Sequence, residues 1–368
     1  MRALLQRWRG EAGDTYVLGL VRALIGILLF WQALDAARTF TVIGYFGDAL
    51  HLPFVPEAWV PSREGYIVLT ATRLLLAVLV VVGHRARASL FMSALLGTSV
   101  LLFDRLQLHH NRYTLLCIAF LLSFAPCDRA FAITREASTV ASRTGPLWAQ
   151  RLAQLQLSIV YLASGGSKLV DSDWREGLVI GDRFLRHAGE AIARGVPASL
   201  VHVFSDPAST SALAKLAIGT ELFLAFGLWS RRTRVVALWW GLMFHLTIEL
   251  TSQVELFTWL TLACYALFAT PDVRGRKVFF DKTRARGAAY AGVIKALDWL
   301  ARFEVRPWEP DALKKGHVLV LVRRDGSRAT GVRALAMVAR CIPLLFPLWA
   351  PLALLASFTK GGEVAARA

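Results

Sequence analysis

Lys168 closes an apolar run, Gln154-Leu-Gln-Leu-Ser-Ile-Val-Tyr-Leu-Ala-Ser-Gly-Gly-Ser-Lys168, just ahead of an acidic tryptophan turn, Asp171-Ser-Asp-Trp174. A lysine at such a boundary can anchor a helix end, join an ion pair or act as a base, since an apolar wall lowers the amine's pKa toward the range of a general base. Gly165 and Gly166 carry no side chains and allow another backbone to come close.

Other ionisable residues also lie inside apolar runs, where each costs on the order of 3 kcal/mol at mid-membrane on insertion scales and marks a functional or tightly paired position. Arg73, Lys215, Glu221, His245 and Glu249 are of this kind. His245 and Glu249 are four residues apart and share a helical face. They read either as cavity groups or as a buried ion pair that includes Arg73 or Lys215. His109, His110, Asn111 and Arg112 stand where the fourth apolar run begins. Arg22, Arg151 and Gln154 lie nearer the opposite ends of their runs and read as snorkelling or packing groups. The histidines have no metal-motif spacing such as H-E-x-x-H, so no metal is expected.

These residues need membrane helices to position them. The chain has 55% hydrophobic residues among 368 and a mean hydropathy of +0.48, too apolar for a soluble protein of this length. Windows long enough to cross about 30 Å of hydrocarbon are Tyr16 to Leu34, Gly65 to Val82, Ala88 to Phe103, Tyr113 to Pro126 (short), Leu147 to Leu162, Ala212 to Trp229, Val235 to Leu250 and Val254 to Ala269. The first could be misread as a secretory signal, but the spans that follow favour a membrane helix.

The net charge of +16 sits in short clusters between the runs: Arg2, Arg7 and Arg9; His84, Arg85 and Arg87; Arg129, Arg135 and Arg143; Arg231, Arg232 and Arg234; Arg274, Arg276 and Lys277. With eight spans every cluster falls on one side, which puts both termini in the cytoplasm; no nucleic-acid partner is expected. The other side receives the loop from Asp35 to Glu64, the Asp104 to Arg112 turn, the long Gly165 to Ser211 loop and the Thr251 to Gln253 turn. Lys168, Trp174, His109, His110, Asn111, Arg112, Arg73, Lys215, Glu221, His245 and Glu249 then converge on one outward-facing cavity. Tyr45, Phe46, Phe54, Trp59 and three prolines make Thr39 to Pro61 an interfacial skirt or an ordinary amphipathic connector. Cys117, Cys127, Cys264 and Cys341 form neither a disulfide framework nor a zinc site.

After Thr270 the pattern changes. Lys277 to Asp281 reads as a strand, Tyr290 to Phe303 as an amphipathic helix, His317 to Arg323 with Asp325-Gly326 as a strand and turn, and Gly331 to Arg340 as a helix. Pro343, Pro347 and Pro351 break the last apolar run, Cys341 to Phe358, which reads as an interfacial or domain-packed segment.

Taken in order, Ser164-Gly-Gly-Ser-Lys168-Leu, Asp173-Trp174-Arg-Glu-Gly177, Glu221-Leu-Phe, Phe244-His245 and Phe257-Thr-Trp259 resemble the horizontally transferred transmembrane (HTTM) family, which includes the vitamin K-dependent γ-glutamyl carboxylase. The resemblance implies that Lys168 is a base, that His245 shares its cavity and that the ligand is a lipid or a vitamin K-like quinone. Carboxylation itself is not expected: Asn111-Arg112 stands where the carboxylase has Asn-His, and this sequence lacks a large glutamate-binding domain. The region after residue 275 resembles the thioredoxin-like DCC family. Arg284 and Gly287 stand in the positions of its two cysteines, downstream of Asp281, and dithiol exchange needs both thiols.

The sequence therefore predicts an all-α polytopic membrane bundle of about eight transmembrane helices with a small cytoplasmic α/β thioredoxin-like domain. Its parts are an N-terminus (1–14), an HTTM-like membrane domain (15–270), a redox-dead DCC-like domain (271–358) and a tail (359–368). The protein is expected in the cell membrane, in contact with lipids. It is either a carboxylase-related enzyme using Lys168 and His245, or a non-catalytic scaffold that engages a cytoplasmic or outer protein partner.

Overall fold

The computed structural model describes residues 6, 8, 10–42, 52–133, 144–252, 254–269, 276–308, 317–323, 325–348, 350 and 351. It divides into two compact units, Met1–Phe268 and Ala269–Ala368. Arg2, Arg7, Arg9, Tyr45, Phe46, Arg135, Arg143, Arg274, the 352–358 part of the proline-broken run and the 359–368 tail lie outside the described residues.

Each apolar window in the first unit is a helix: α1 (Tyr16–Val42), α2 (Arg63–Val82), α3 (Ala86–Phe103), α4 (His110–Ser123), α5 (Trp148–Val170), α8 (Pro207–Gly227), α9 (Arg234–Ser252) and α10 (Phe257–Tyr265). Local chemistry sets their ends. Ser62 accepts from the Gly65 N–H to cap α2, and Asp206 accepts from Ala208 and Ser209 ahead of Pro207 at the start of α8. Four of these helices, Tyr16–Arg38 within α1, α2, α3 and α8, are long and apolar enough to cross a membrane, and Phe257–Phe268 is a shorter apolar helix.

The packing is inverted relative to a water-soluble core. α2 buries Tyr66, Thr70, Arg73, Ala77 and Val80 and exposes Ile67, Val68, Leu75 and Val78. A helix whose polar face is inside and whose leucines and valines face out is built for a hydrocarbon surround. Against α4, α3 buries Ser89, Ser93 and Gly97 at four-residue spacing. A Cβ on Gly97 would lie 2.3 Å from Leu116 Cδ2, so this small-residue stripe is what lets the two backbones approach.

The stretch expected to be a loop, Gly165 to Ser211, is mostly helical. α5 runs past both glycines to Val170, a helical turn follows at Ser172–Arg175, and then come α6 (Leu178–Ala193) and α7 (Ala198–Ser205). These helices are amphipathic, so a search for spanning hydropathy passes over them. Lys168 lies within α5, above its C-cap at Asp171. Of the paired glycines only Gly165 makes a close approach: its Cβ would sit 3.1 Å from the Leu222 side chain and 3.2 Å from Glu221 Cβ, while nothing lies near Gly166.

Contacts between connecting segments gather the helix ends into two groups. In one, β1 (Ala12–Asp14) pairs antiparallel with β2 (Thr144–Pro146), Arg151 forms a two-pronged pair with Glu11, Trp8 stacks on Trp229 at 6.0 Å, and Ile133 N donates to Val82 O at 2.9 Å. In the other, Phe54 N donates to Leu102 O, Leu52 N donates to Asp104, Arg112 faces Asp35 and Glu255 at 3.6 and 3.3 Å, and Arg194 reaches the Glu249 carbonyl. Arg22, read as a snorkelling or packing group, is the second of these: it is fully buried and donates to the Phe131 and Val81 carbonyls.

The second unit holds a four-stranded sheet of order β4-β3-β5-β6, with β3 (Lys277–Phe280), β4 (Glu304–Pro307), β5 (Leu319–Val322) and β6 (Arg328–Thr330). β3 and β4 are parallel and joined by α11 (Ala285–Leu297), β5 is antiparallel to β3, and β6 closes a hairpin with β5 before α12 (Gly331–Ala339). α11 begins and ends earlier than its expected 290–303 range. The Asp298 carboxylate accepts from the N–H groups of Arg302 and Phe303 and turns the chain out of the helix. β4 was not read as a strand; as an edge strand it tolerates Pro307. Val278, Ile294, Leu319, Leu321, Met337 and Ile342 form the core, so the proline-broken run begins packed inside this unit.

Gly177 fixes how the chain leaves the Ser172–Arg175 turn. Its φ is +85°, and a Cβ there would meet Ser211 N at 2.3 Å, a backbone atom that cannot rotate away. Gly177→Ala is expected to lower stability by about 1–3 kcal/mol, read as a reduced melting temperature in detergent; an unchanged melting temperature would contradict this packing.

Candidate functional site

α5 carries its polar side chains on one buried face. Tyr161, Ser164 and Lys168 follow at steps of three and four and therefore stack on one side of the helix. α8 meets this face at Gly165, which brings Glu221 alongside. Lys168 Nζ lies 2.7 Å from both Glu221 carboxylate oxygens and 2.6 Å from Ser164 Oγ, and the Ser164 hydroxyl donates to Glu221 Oε1 at 3.1 Å. The side chains of Lys168 and Glu221 are 16% and 5% exposed, so this is a largely desolvated ion pair. The Trp174 ring centroid is 4.9 Å from Lys168 Nζ, a cation–π contact that adds to its hold.

The pair forms the polar end of a cavity of about 870 Å³, in the upper part of the roughly 300–1,000 Å³ range of small-molecule sites. α4, α5, α6, α8, α9 and the start of α10 enclose it, with Ile159, Leu216, Trp240, Met243, Phe244 and Phe257 among its apolar walls. Tyr113, Ile159 and Leu216 line the cavity and are also 54%, 49% and 52% exposed. The cavity thus reaches the apolar outer surface of the bundle.

Of the residues expected to converge, Lys168, Glu221, Trp174 and His110 line this cavity; Asn111, Arg112, Arg73, His109, Lys215, His245 and Glu249 do not. His245 is fully buried behind the lining. Its Nε2 is 2.6 Å from Tyr161 Oη, which is 2.6 Å from Tyr265 Oη, making a three-member relay beneath the ion pair. Glu249 does not pair with His245; its Oε2 is buried without a hydrogen-bond partner among the described residues. Arg73 takes a neutral partner, Gln32 Oε1 at 3.2 Å. Asn111 is buried with neither side-chain polar atom bonded among the described residues. Arg112 is held by Gln107, Glu255 and Asp35 at the loop end. None of the described residues between 52 and 61 lines the cavity.

Tyr161, Tyr265 and Ser164 were missed because a search for charge in apolar runs ignores hydroxyls. The i, i+7 spacing of Tyr161 and Lys168 was the signal that could have found the first. Among the described residues no three His, Cys, Asp or Glu side chains come together as metal ligands. In the second unit Asp281 accepts from Thr283 and pairs with Arg284 at 3.3 Å; the Thr283 bonds hold its carboxyl below the usual range. A Cβ on Gly287 would lie 2.2 Å from the Asp281 carbonyl oxygen, so a cysteine there requires the turn to shift.

Removing one member of a desolvated pair leaves a buried lone charge, at about 3–5 kcal/mol, whereas replacing both with apolar groups is far milder. Lys168→Met and Glu221→Leu are each expected to destabilise the purified protein on that scale. The double variant is expected to regain most of the loss, measured as coupling in a thermal double-mutant cycle. Additive losses would mean that the two groups do not form the pair described.

Searches of curated proteins and of solved structures give no match to the chain. A family model of the HTTM domain matches residues 11–273, a span that takes in α1 to α10 and every residue of the cavity. The chain belongs to the HTTM domain family.

Proposed function

We propose that this protein is a multi-pass membrane protein that binds an amphipathic, lipid- or quinone-like molecule, with the ligand's polar end at Lys168 and Glu221 and its apolar part along the cavity. The observation that carries this reading is one desolvated ion pair at the end of a largely apolar cavity open to the bundle surface. Such a site is too apolar for a sugar or nucleotide and too large for water alone. A quinone-like ring suits the chemistry of the lining, where Trp174, Trp240, Phe244 and Phe257 offer stacking faces and the pair offers hydrogen bonds.

In the enzymatic form of this reading Lys168 is the base. As built, it is an ammonium held by Glu221. Before it can take a proton from a ligand O–H or C–H, its own proton must pass to the carboxylate 2.7 Å away, after which the neutral amine takes the ligand's proton to become an ammonium again, and Glu221 gives its proton to the leaving product or to water, which restores the ion pair. Ser164 keeps both groups in register. His245 acts through Tyr161, as a positioning residue beneath the pair. The completeness of the Lys168 contacts favours a second reading, in which the pair only holds α5 to α8 and the protein is a scaffold. γ-Carboxylation is not proposed.

Eight passes are supported by the two groups of helix-end contacts, since each collects the loops that alternating spans would bring together, and the basic clusters between the spans support a cytoplasmic side for both termini. The β-α-β unit followed by an antiparallel hairpin and a helix supports a thioredoxin-like second domain. Arg284 and Gly287 make that domain redox-inactive, suited to binding a cytoplasmic partner.

Lipids and quinones extracted from the purified wild type and from the Lys168→Met/Glu221→Leu double variant test the binding reading. The wild type is expected to retain one amphipathic species near stoichiometric amount, and the folded double variant to lose it by about tenfold or more. Equal retention, or none in either protein, would leave the scaffold reading.

A further inference from the structure

The charges around the cavity do not balance. Its charged lining residues are Lys168, Glu221 and Arg183, and the first two neutralise each other. The guanidinium carbon of Arg183 lies 5.3 Å from the Trp174 ring centroid, the same ring that Lys168 approaches. Two cations therefore share one indole, and the one carboxylate in the lining, Glu221, is paired with Lys168. The other acids on α6 are engaged elsewhere: Asp182 pairs with Arg186, and Glu190 faces Arg194 and His187. Among the described residues no carboxylate lies within ion-pair distance of Arg183.

α6 also relates the cavity to the leaflet. Ile180, Arg183 and Phe184 face the cavity, while Leu178, Leu185 and Ile192, seven residues apart, form an exposed apolar stripe on the same helix. An amphipathic helix with an apolar stripe and arginines beside it lies in the membrane interface. Arg183 thus sits beside the cavity on a helix of the kind that lies at headgroup depth.

Resting on the binding reading above, we propose that the ligand is an acidic lipid of the surrounding leaflet, its anionic head held by Arg183 beside the Lys168–Glu221 pair, its chain along the apolar walls of the cavity. A planar guanidinium with free donors matches a phosphate or carboxylate with two parallel hydrogen bonds. A neutral quinone head would leave that charge without a counterpart. The acidic head could belong to a phospholipid or a free fatty acid, and the two share this chemistry.

The test uses the full-length protein in detergent and competition against a fluorescent fatty-acid probe. Phosphatidylglycerol is compared with phosphatidylcholine, and oleate with oleyl alcohol. An acidic member is expected to win its pair by about tenfold or more, the scale of one charge-assisted hydrogen bond; the pair showing the larger preference identifies the head. Arg183→Gln is expected to abolish the preference while keeping the wild-type melting temperature and oleyl alcohol affinity, and Arg183→Lys to keep part of it. Arg186→Gln, outside the cavity, is expected to change nothing. Equal binding of acidic and neutral members, or a preference that survives Arg183→Gln, overturns the acidic-head assignment alone. Failure of oleyl alcohol and of every acidic lipid to displace the probe overturns the binding reading itself.

Discussion

One face of α5 carries Gln150, Gln154, Ser158, Tyr161, Ser164 and Lys168 through a bundle whose outer surface is apolar. Every polar group on that face needs a partner, because an unmet one in a water-poor interior costs on the order of 1–3 kcal/mol, and more when charged. Gln150 and Gln154 both donate to the Leu267 carbonyl at the end of the membrane unit. Ser158 accepts from Trp229, Tyr161 meets His245 and Tyr265, and Ser164 with Lys168 holds Glu221. The partners come from α8, α9, α10 and the turns beside them, so the needs of one helix fix how the others are rotated around it.

The cavity follows from the same constraint. Gly165 lets α8 approach closely enough for the ion pair, while Trp240 donates to Thr220 and ties α9 to the far side of α8. Between these fixed contacts the helices splay, and the space left is walled by the apolar flanks of the same elements. At the polar end Lys168, Glu221 and Ser164 are held by one another; the apolar side is open where Ile159 and Leu216 reach the bundle surface.

Much of this was legible in the sequence, and the limits were physical. Hydropathy located α1 to α5 and α8 to α10 because apolar length is a local property of the chain. It did not reveal α6 and α7, whose apolar residues are spread around an amphipathic surface. Charges in apolar runs pointed to Lys168 and Glu221 as neighbours of one cavity but not as each other's partner, because pairing depends on helix rotation, which α5 settles through uncharged groups. The same gap misassigned His245, read with Glu249 on its own helix and found with Tyr161 on another, and Arg73, whose partner Gln32 carries no charge. Asn111 and Arg112 were placed at the correct end of the bundle but belong to loop contacts and packing rather than to the cavity lining.

A density map of the protein in nanodiscs of its native membrane lipids would bear most directly on the central claim that the α5–α8 ion pair is the polar end of an amphipathic ligand site. Elongated density along Phe244, Leu216 and Ile159, with a head within hydrogen-bond reach of Lys168, Glu221 or Arg183, is the predicted result. A cavity closed by side chains, or an occupant whose polar end points away from the pair, would contradict it.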